Sequence, residues 1–138
     1  MQQDTRPKRT YDLEGLEELI NSLVEASCQG AAVIVEGRHD EQALRALGLM
    51  GPVILASRRS ALDLAEDAAR RFQMIILLTD WDRKGDEMAK KIEKHLVSVG
   101  SRPDTEIRSR LKKLVKKEIK DVESLSLYVE RMRELYGD

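Results

Sequence analysis

Two short apolar runs that end in acid constrain this chain more than any other feature. Ala31-Ala32-Val33-Ile34-Val35 leads straight into Glu36 and Gly37, and Met74-Ile75-Ile76-Leu77-Leu78-Thr79 leads into Asp80, Trp81 and Asp82. Runs this short, rich in β-branched and aliphatic residues and without polar alternation, read as strands buried on both faces. Pro52-Val53-Ile54-Leu55-Ala56 reads the same way, with its proline at the first position, where a missing N–H is tolerated. A sheet buried on both faces needs helices on both, and the sequence between the runs supplies them.

Leu13, Leu16, Leu19, Ile20, Leu23 and Val24 recur at helical spacing ahead of the first run, and Gly30 is placed to stop that helix. Ala43, Leu44 and Leu47 mark a short helix after the first run, with Gly48 and Gly51 at its exit. Ser60 followed by Asp63 resembles a capping box and opens a helix through Leu64, Ala65, Ala68 and Phe72. Met88, Ala89, Ile92 and Leu96 carry the next helix, which Gly100 ends. The order α, then β-α-β-α-β-α, implies right-handed crossovers and a parallel sheet between helix layers. Asp104 to Lys117 reads as a basic amphipathic helix, Glu118 to Val122 as a short edge strand, and Leu125 to Leu135 as a last helix. That makes a central sheet of about four strands. Residues 1–10, polar and containing Pro7, read as a flexible tail. Residues 11–138 read as one domain, with a motif core over 31–100 and the basic helix, short strand and helix over 104–136.

The formal net charge is −1, so any nucleic-acid surface must be local. The single Cys28 excludes an intramolecular disulfide and a cysteine metal cluster, and it reads as a small buried residue. No stretch approaches the roughly 20 apolar residues of a membrane span, and the first residues lack the apolar segment of a signal peptide. A soluble cytoplasmic protein with no membrane partner is expected.

In parallel sheets, sites form beyond the carboxyl ends of the strands. Glu36 and the Asp80/Asp82 pair all fall there. Three carboxylates without His or Cys suit a hard cation, Mg2+ with Mn2+ as a substitute, better than zinc. The simpler alternative is that Asp80 and Asp82 only cap the following helix, with Gly85 letting the chain turn tightly before it. Arg38, Arg58, Arg59, Arg83 and Lys84 sit in loops after the three strands. They either position phosphates or are solvated loop charges. Arg108, Arg110, Lys112, Lys113, Lys116, Lys117 and Lys120 form a denser basic segment, which either grips a nucleic-acid backbone or is a solvated helix face. Trp81 is simplest as core or pocket wall. Aromatic residues are 4% of the chain, which argues against a base-stacking platform. No P-loop motif and no Ser-His or Cys-His pairing is present.

Val35-Glu36-Gly37-Arg38-His39-Asp40 with Ala43-Leu44, followed by Thr79-Asp80-Trp81-Asp82-Arg83-Lys84-Gly85, resembles the two signature motifs of the Toprim domain. That domain is shared by topoisomerases, DnaG-type primases, ribonuclease M5, OLD-type nucleases and RecR-type repair proteins. The similarity covers about Ala31 to Gly100, and the compact size resembles the small stand-alone Toprim proteins related to ribonuclease M5, including an archaeal group. The resemblance implies an α/β, Rossmann-like Toprim fold. It implies that Asp80 and Asp82 hold magnesium, while Glu36 acts as general acid/base and touches the metal. Asp40 matches an acid often present in the first motif, and is either a brace for the site or a helix-terminus charge. The implied activity is Mg-dependent phosphoryl transfer of nuclease type on RNA or DNA. The alternative is a non-catalytic metal-binding module for nucleic acid or protein. Topoisomerase activity is not expected, because Tyr11, Tyr128 and Tyr136 lie outside the motif core, nor is primase activity. The N-terminal helix either covers the sheet or pairs with a second copy, so a homodimer is the other candidate partnership.

Overall fold

The computed structural model describes residues 8–137, with side chains from Asp12 onward. Its centre is the first apolar run. Ala32–Val35 forms β1, buried along its whole length. Val33 and Val35 pack into one cluster and Ile34 into the other, the period of two that a strand imposes. β2 (Val53–Leu55) and β3 (Ile75–Leu77) flank β1 and run parallel to it, in the order β2-β1-β3. Ile34 stands opposite Ile54 on one side and Leu77 on the other.

The chain moves from β1 to β2, then back across β1 to β3. That reversal puts right-handed crossovers on opposite faces. Leu44 of α2 (Arg38–Ala46) joins the first cluster, and Leu64, Ala65 and Ala68 of α3 (Ala61–Arg71) join the second. α4 (Arg83–Ser98) lies beside α3 and buries Ile92 and Leu96. The first face is covered by α1 (Lys8–Cys28), α5 (Glu106–Val115) and α6 (Leu125–Tyr136), with Leu16, Ile20 and Leu23 against Leu111, Val115 and Val129. A single 3-10 turn, Ala56–Arg58, follows β2. The first helix therefore covers the sheet, as one of its two sequence readings has it.

Four details depart from the sequence reading. The strand expected over 118–122 does not form, so among the described residues the sheet has three strands. The outer edge of β3 is taken by Asp104, which makes one parallel bridge with Ile76. Its N–H donates to the Ile75 carbonyl at 2.8 Å and its carbonyl accepts from the Leu77 N–H at 2.9 Å. With that edge filled, the 118–122 segment bonds to the loop after β3: the Ile119 carbonyl accepts the Trp81 indole N–H at 2.8 Å. Cys28 is exposed, not buried. The buried stripe of α1 runs through Leu16, Ile20 and Leu23 to Ser27, whose Oγ accepts the Gly51 N–H at 2.8 Å. α1 begins at Lys8, inside the segment read as a tail; residues 1–7 of that reading lie outside the described residues.

The fourth concerns Gly85. Its φ is not positive, so no turn demands glycine there. The demand is steric: a Cβ would stand 1.9 Å from the Asp80 carbonyl oxygen. The first turn of α4 thus rests directly on the backbone of Asp80. Gly37, by contrast, has nothing within 4 Å of an added Cβ. Gly85→Ala is expected to destabilise the protein by about 2–3 kcal/mol, the usual cost of overpacking, and Gly37→Ala by under about 1 kcal/mol. Urea unfolding of the two variants against wild type measures both.

Candidate metal centre

In a sheet ordered 2-1-3, the helices that follow β1 and β3 leave to opposite faces and open a crevice between the two strands. Glu36 and Asp80 arrive at that crevice. Oε2 of Glu36 accepts the backbone N–H of Asp80 at 2.8 Å. The Glu36 carbonyl accepts the Ser57 N–H at 2.9 Å, which ties the loop after β2 to the same edge. Oδ1 of Asp80 accepts the Val122 N–H at 2.8 Å, and the Asp80 carboxyl is in side-chain contact with Glu36. Oδ1 of Asp82 accepts the Gly85 N–H at 2.7 Å and caps α4. Each of the three acids thus has one oxygen fixed by a neutral amide. Their orientation is set without neutralising their charge.

The charges are crowded. Burial pushes the Asp80 carboxyl up, the Val122 N–H opposes it, and the Glu36 and Asp121 carboxylates add to the rise, leaving it at about 7. Asp40, buried at 7% exposure, lies at the start of α2 and accepts the Gly37 N–H at 2.9 Å. Burial raises its pKa, the Gly37 bond offsets part, and the charges of Asp80, Glu123 and Asp121 raise it further. Asp40 is therefore both a helix-terminus charge and part of the field around Asp80. Asp121 and Glu123 were not singled out from sequence, because nothing in a loop of that composition marks it as folding back on β3.

Magnesium fits this donor set. It takes hard oxygens, uses one or two carboxylates, and leaves its other positions to water or phosphate. Glu36 and Asp80 form such a pair, with oxygen donors only and no ion-pair partner among the described residues. Asp82, two residues on from Asp80, is engaged as the cap of α4. Among the described residues, no three His, Cys, Asp or Glu side chains converge into a ready metal-binding group. The structure therefore brings together two of the three acids read as ligands, and holds the third at the helix cap.

The cations divide into two kinds. Arg38, Arg58, Arg59, Arg83 and Lys84 are exposed, as is His39, but they do not all sit in loops as the sequence suggests: Arg38 opens α2, Arg58 ends the 3-10 turn, and Arg83 and Lys84 lie in the first turn of α4. Arg59 is paired with Asp67 at 2.9 Å, and Arg83 makes a long 3.4 Å contact with Glu87. Arg108, read from sequence within a segment that either grips a nucleic-acid backbone or is a solvated helix face, instead points inward with its side chain 11% exposed. Its Nε donates to the Thr79 carbonyl at 3.0 Å, and its terminal nitrogen donates to the Asp80 carbonyl and to Asp86. Lys112 donates to the other Asp86 oxygen at 2.8 Å. Burial pushes Asp86 up, but Lys112 and Arg108 outweigh it and hold the carboxyl below its ordinary range. Two of the seven basic residues are thus occupied internally, while Lys113, Lys116 and Lys117 remain exposed.

Two outcomes follow. An acid whose pKa rises from 3.8 to about 7 on folding binds its proton more tightly in the folded state, so the protein loses stability as pH rises through that window. Asp80→Asn keeps the acceptor for Val122 and removes the charge. It is expected to stabilise the metal-free protein at pH 8 by about 2 kcal/mol and to have a much smaller effect at pH 4. Thermal melts in EDTA at the two pH values measure this. Arg108→Lys cannot reproduce the fork over two carbonyls and one carboxylate, and is expected to cost about 2 kcal/mol in chemical denaturation.

Comparison with known proteins shows the family and the fold. The Toprim domain model matches residues 31–125. The UPF0292 protein of Methanosarcina barkeri is 45% identical over 121 residues, covering 88% of this chain and 85% of its own. The UPF0292 protein of Thermococcus gammatolerans is 47% identical over 110 residues, covering 78% of each. Among solved structures, a protein from Aquifex aeolicus superposes with a TM-score of 0.68 at 31% identity, covering 79% of this chain and 96% of its own. The chain belongs to the Toprim domain family, whose members generally bind magnesium and take part in nucleic-acid processing.

Proposed function

We propose that this protein is a magnesium-dependent phosphoryl-transfer enzyme of nuclease type, acting on RNA or DNA. The observation that carries it is the Glu36–Asp80 pair: two carboxyls in contact at the β1–β3 crevice, without a cationic partner among the described residues, with Asp40, Asp121 and Glu123 adding to the negative field. Such a pair is costly unless a cation or a proton sits with it. Glu36 and Asp80 would hold magnesium, with Asp82 two residues on at the helix cap. Bound there, the ion supplies charge neutralisation and polarisation at the phosphate under attack. Glu36 is placed to take or return a proton at the same edge. Arg38, Arg58, Arg59, Arg83 and Lys84 rim that edge and suit the phosphates of a backbone. Lys113, Lys116 and Lys117 offer a second exposed surface for it.

One observation favours a second reading. With two facing acids and no ready three-ligand group among the described residues, the site also suits a module that binds metal and nucleic acid or protein without cleaving. Calorimetric titration with Mg2+ or Mn2+, together with cleavage of labelled RNA and DNA oligonucleotides, separates the two. Metal-dependent cleavage is expected, reduced about a hundredfold or more in Glu36→Gln and in Asp80→Asn. Metal and oligonucleotide binding without cleavage selects the second reading. Cleavage unchanged in both variants overturns the assignment of the acids.

A further inference from the structure

Asp121 and Asp40 add charge beside Asp80, and Glu123 adds charge beside Asp40. Between α3 and α4 lies a cavity of about 350 Å³. Each of its walls lies one residue along the chain from backbone that touches the acid-bearing segments. Ala56 lines it and is followed by Ser57, whose N–H is bonded to the Glu36 carbonyl. Lys84 lines it and is followed by Gly85, which rests on the Asp80 backbone.

The lining is chemically divided. The floor is the half-buried Met88 thioether, with Leu64 and Ile92, each 1% exposed, closing the core beneath it. The rim carries Arg59, Lys84 and Lys91, with Glu87 its one acid and the Ser60 hydroxyl, whose oxygen already accepts the Asp63 N–H, its one neutral polar side chain. Lys84, Met88 and Lys91 fall at i, i+4 and i+7 of α4, one face of the helix. Arg59 adds to an excess of positive charge, because its partner Asp67 is also contacted by Arg71 at 3.1 Å and Arg70 at 3.6 Å. A bare anion has no use for the floor, and an apolar ligand has none for the rim. A divalent cation finds a single carboxylate. A nucleotide meets both halves, with its base on the floor and its phosphate at the rim.

We infer that the α3–α4 cavity is a nucleotide subsite, taking one unpaired residue of a single-stranded nucleic acid beside the phosphate that lies at Glu36 and Asp80. The volume falls within the range of small-ligand pockets. A base reaches such a floor only when unpaired and unstacked, which selects single strands, ends and loops over duplex. The floor presents no hydrogen-bonding side chain, so it grips any base face and reads none. The inference rests on the phosphoryl-transfer reading for the origin of the nucleotide, and its test is arranged to fail independently of it.

The test is an amide-resonance titration of the full chain with uridine monophosphate in EDTA, up to about 10 mM, where weak sites still register. Shifts are expected to centre on Leu64, Met88 and Lys91. Uridine and inorganic phosphate are each expected to bind more weakly than the nucleotide. Lys91→Glu should weaken binding by about tenfold or more, as loss of a charged contact to phosphate does. Lys94→Glu, the same charge change elsewhere on α4, should leave it intact. Shifts centred on Lys113–Lys117, equal affinity for phosphate alone, or indifference to Lys91→Glu would each overturn the inference. No metal enters the titration, so failure of cleavage leaves it standing, and its own failure leaves the acid site standing.

Discussion

Arg108 grips the carbonyls of Thr79 and Asp80 from one side of the β3 exit, and the Glu36 carboxylate holds the Asp80 N–H from the other. Everything at the carboxyl edge of the sheet depends on this double hold. It stops β3 at the point where α4 can begin, and it turns the Asp80 side chain back toward Val122. Gly85 then completes the arrangement by letting the first turn of α4 lie flat on Asp80. The guanidinium that fixes the backbone is itself fixed by Asp86, on α4, which links α5 to both neighbours through one charged network.

The acids themselves are held by neutral groups. Glu36, Asp40, Asp80 and Asp82 each accept a backbone N–H. An amide fixes a carboxylate without discharging it, whereas a lysine or arginine in the same place would both fix and neutralise. The arrangement therefore keeps its negative field at a cost in stability, which is the usual relation between a binding site and the fold that carries it. The cations that could relieve it are kept off the carboxyls: Arg108 faces carbonyls and Asp86, Arg59 pairs with Asp67, Arg83 contacts Glu87, and Arg38 and Arg58 are exposed.

Much of this was legible in the sequence, for physical reasons that differ by element. β1, with both faces buried, is continuous in apolar residues, and the run Ala31 to Val35 places it to within one residue. The helices of the α3–α4 face were visible because their apolar residues keep a 3.6-residue period. Glu36 and Asp80 were legible because acids directly after buried strands are costly enough to stand out. The 118–122 segment was misread because its composition suits an edge strand, and only the presence of Asp104 on that edge excludes it. Arg108 was misread because charge alone does not say whether a side chain faces water or a row of carbonyls. Cys28 was misread by one position on a helix, where one position is a rotation of about 100°.

The bonds that build the acid site join residues far apart in the chain. Glu36 reaches Asp80 across 44 positions, and Asp80 reaches Val122 across 42. Helices form from neighbours, but contacts of this span wait for loop closure and arrive late in folding. A chain still emerging from synthesis, or one opened near its C-terminus, can thus be rich in helix and yet lack a paired centre. The position of Val122 makes the acid pair conditional on the last quarter of the chain being in place, so a half-made protein lacks an assembled centre.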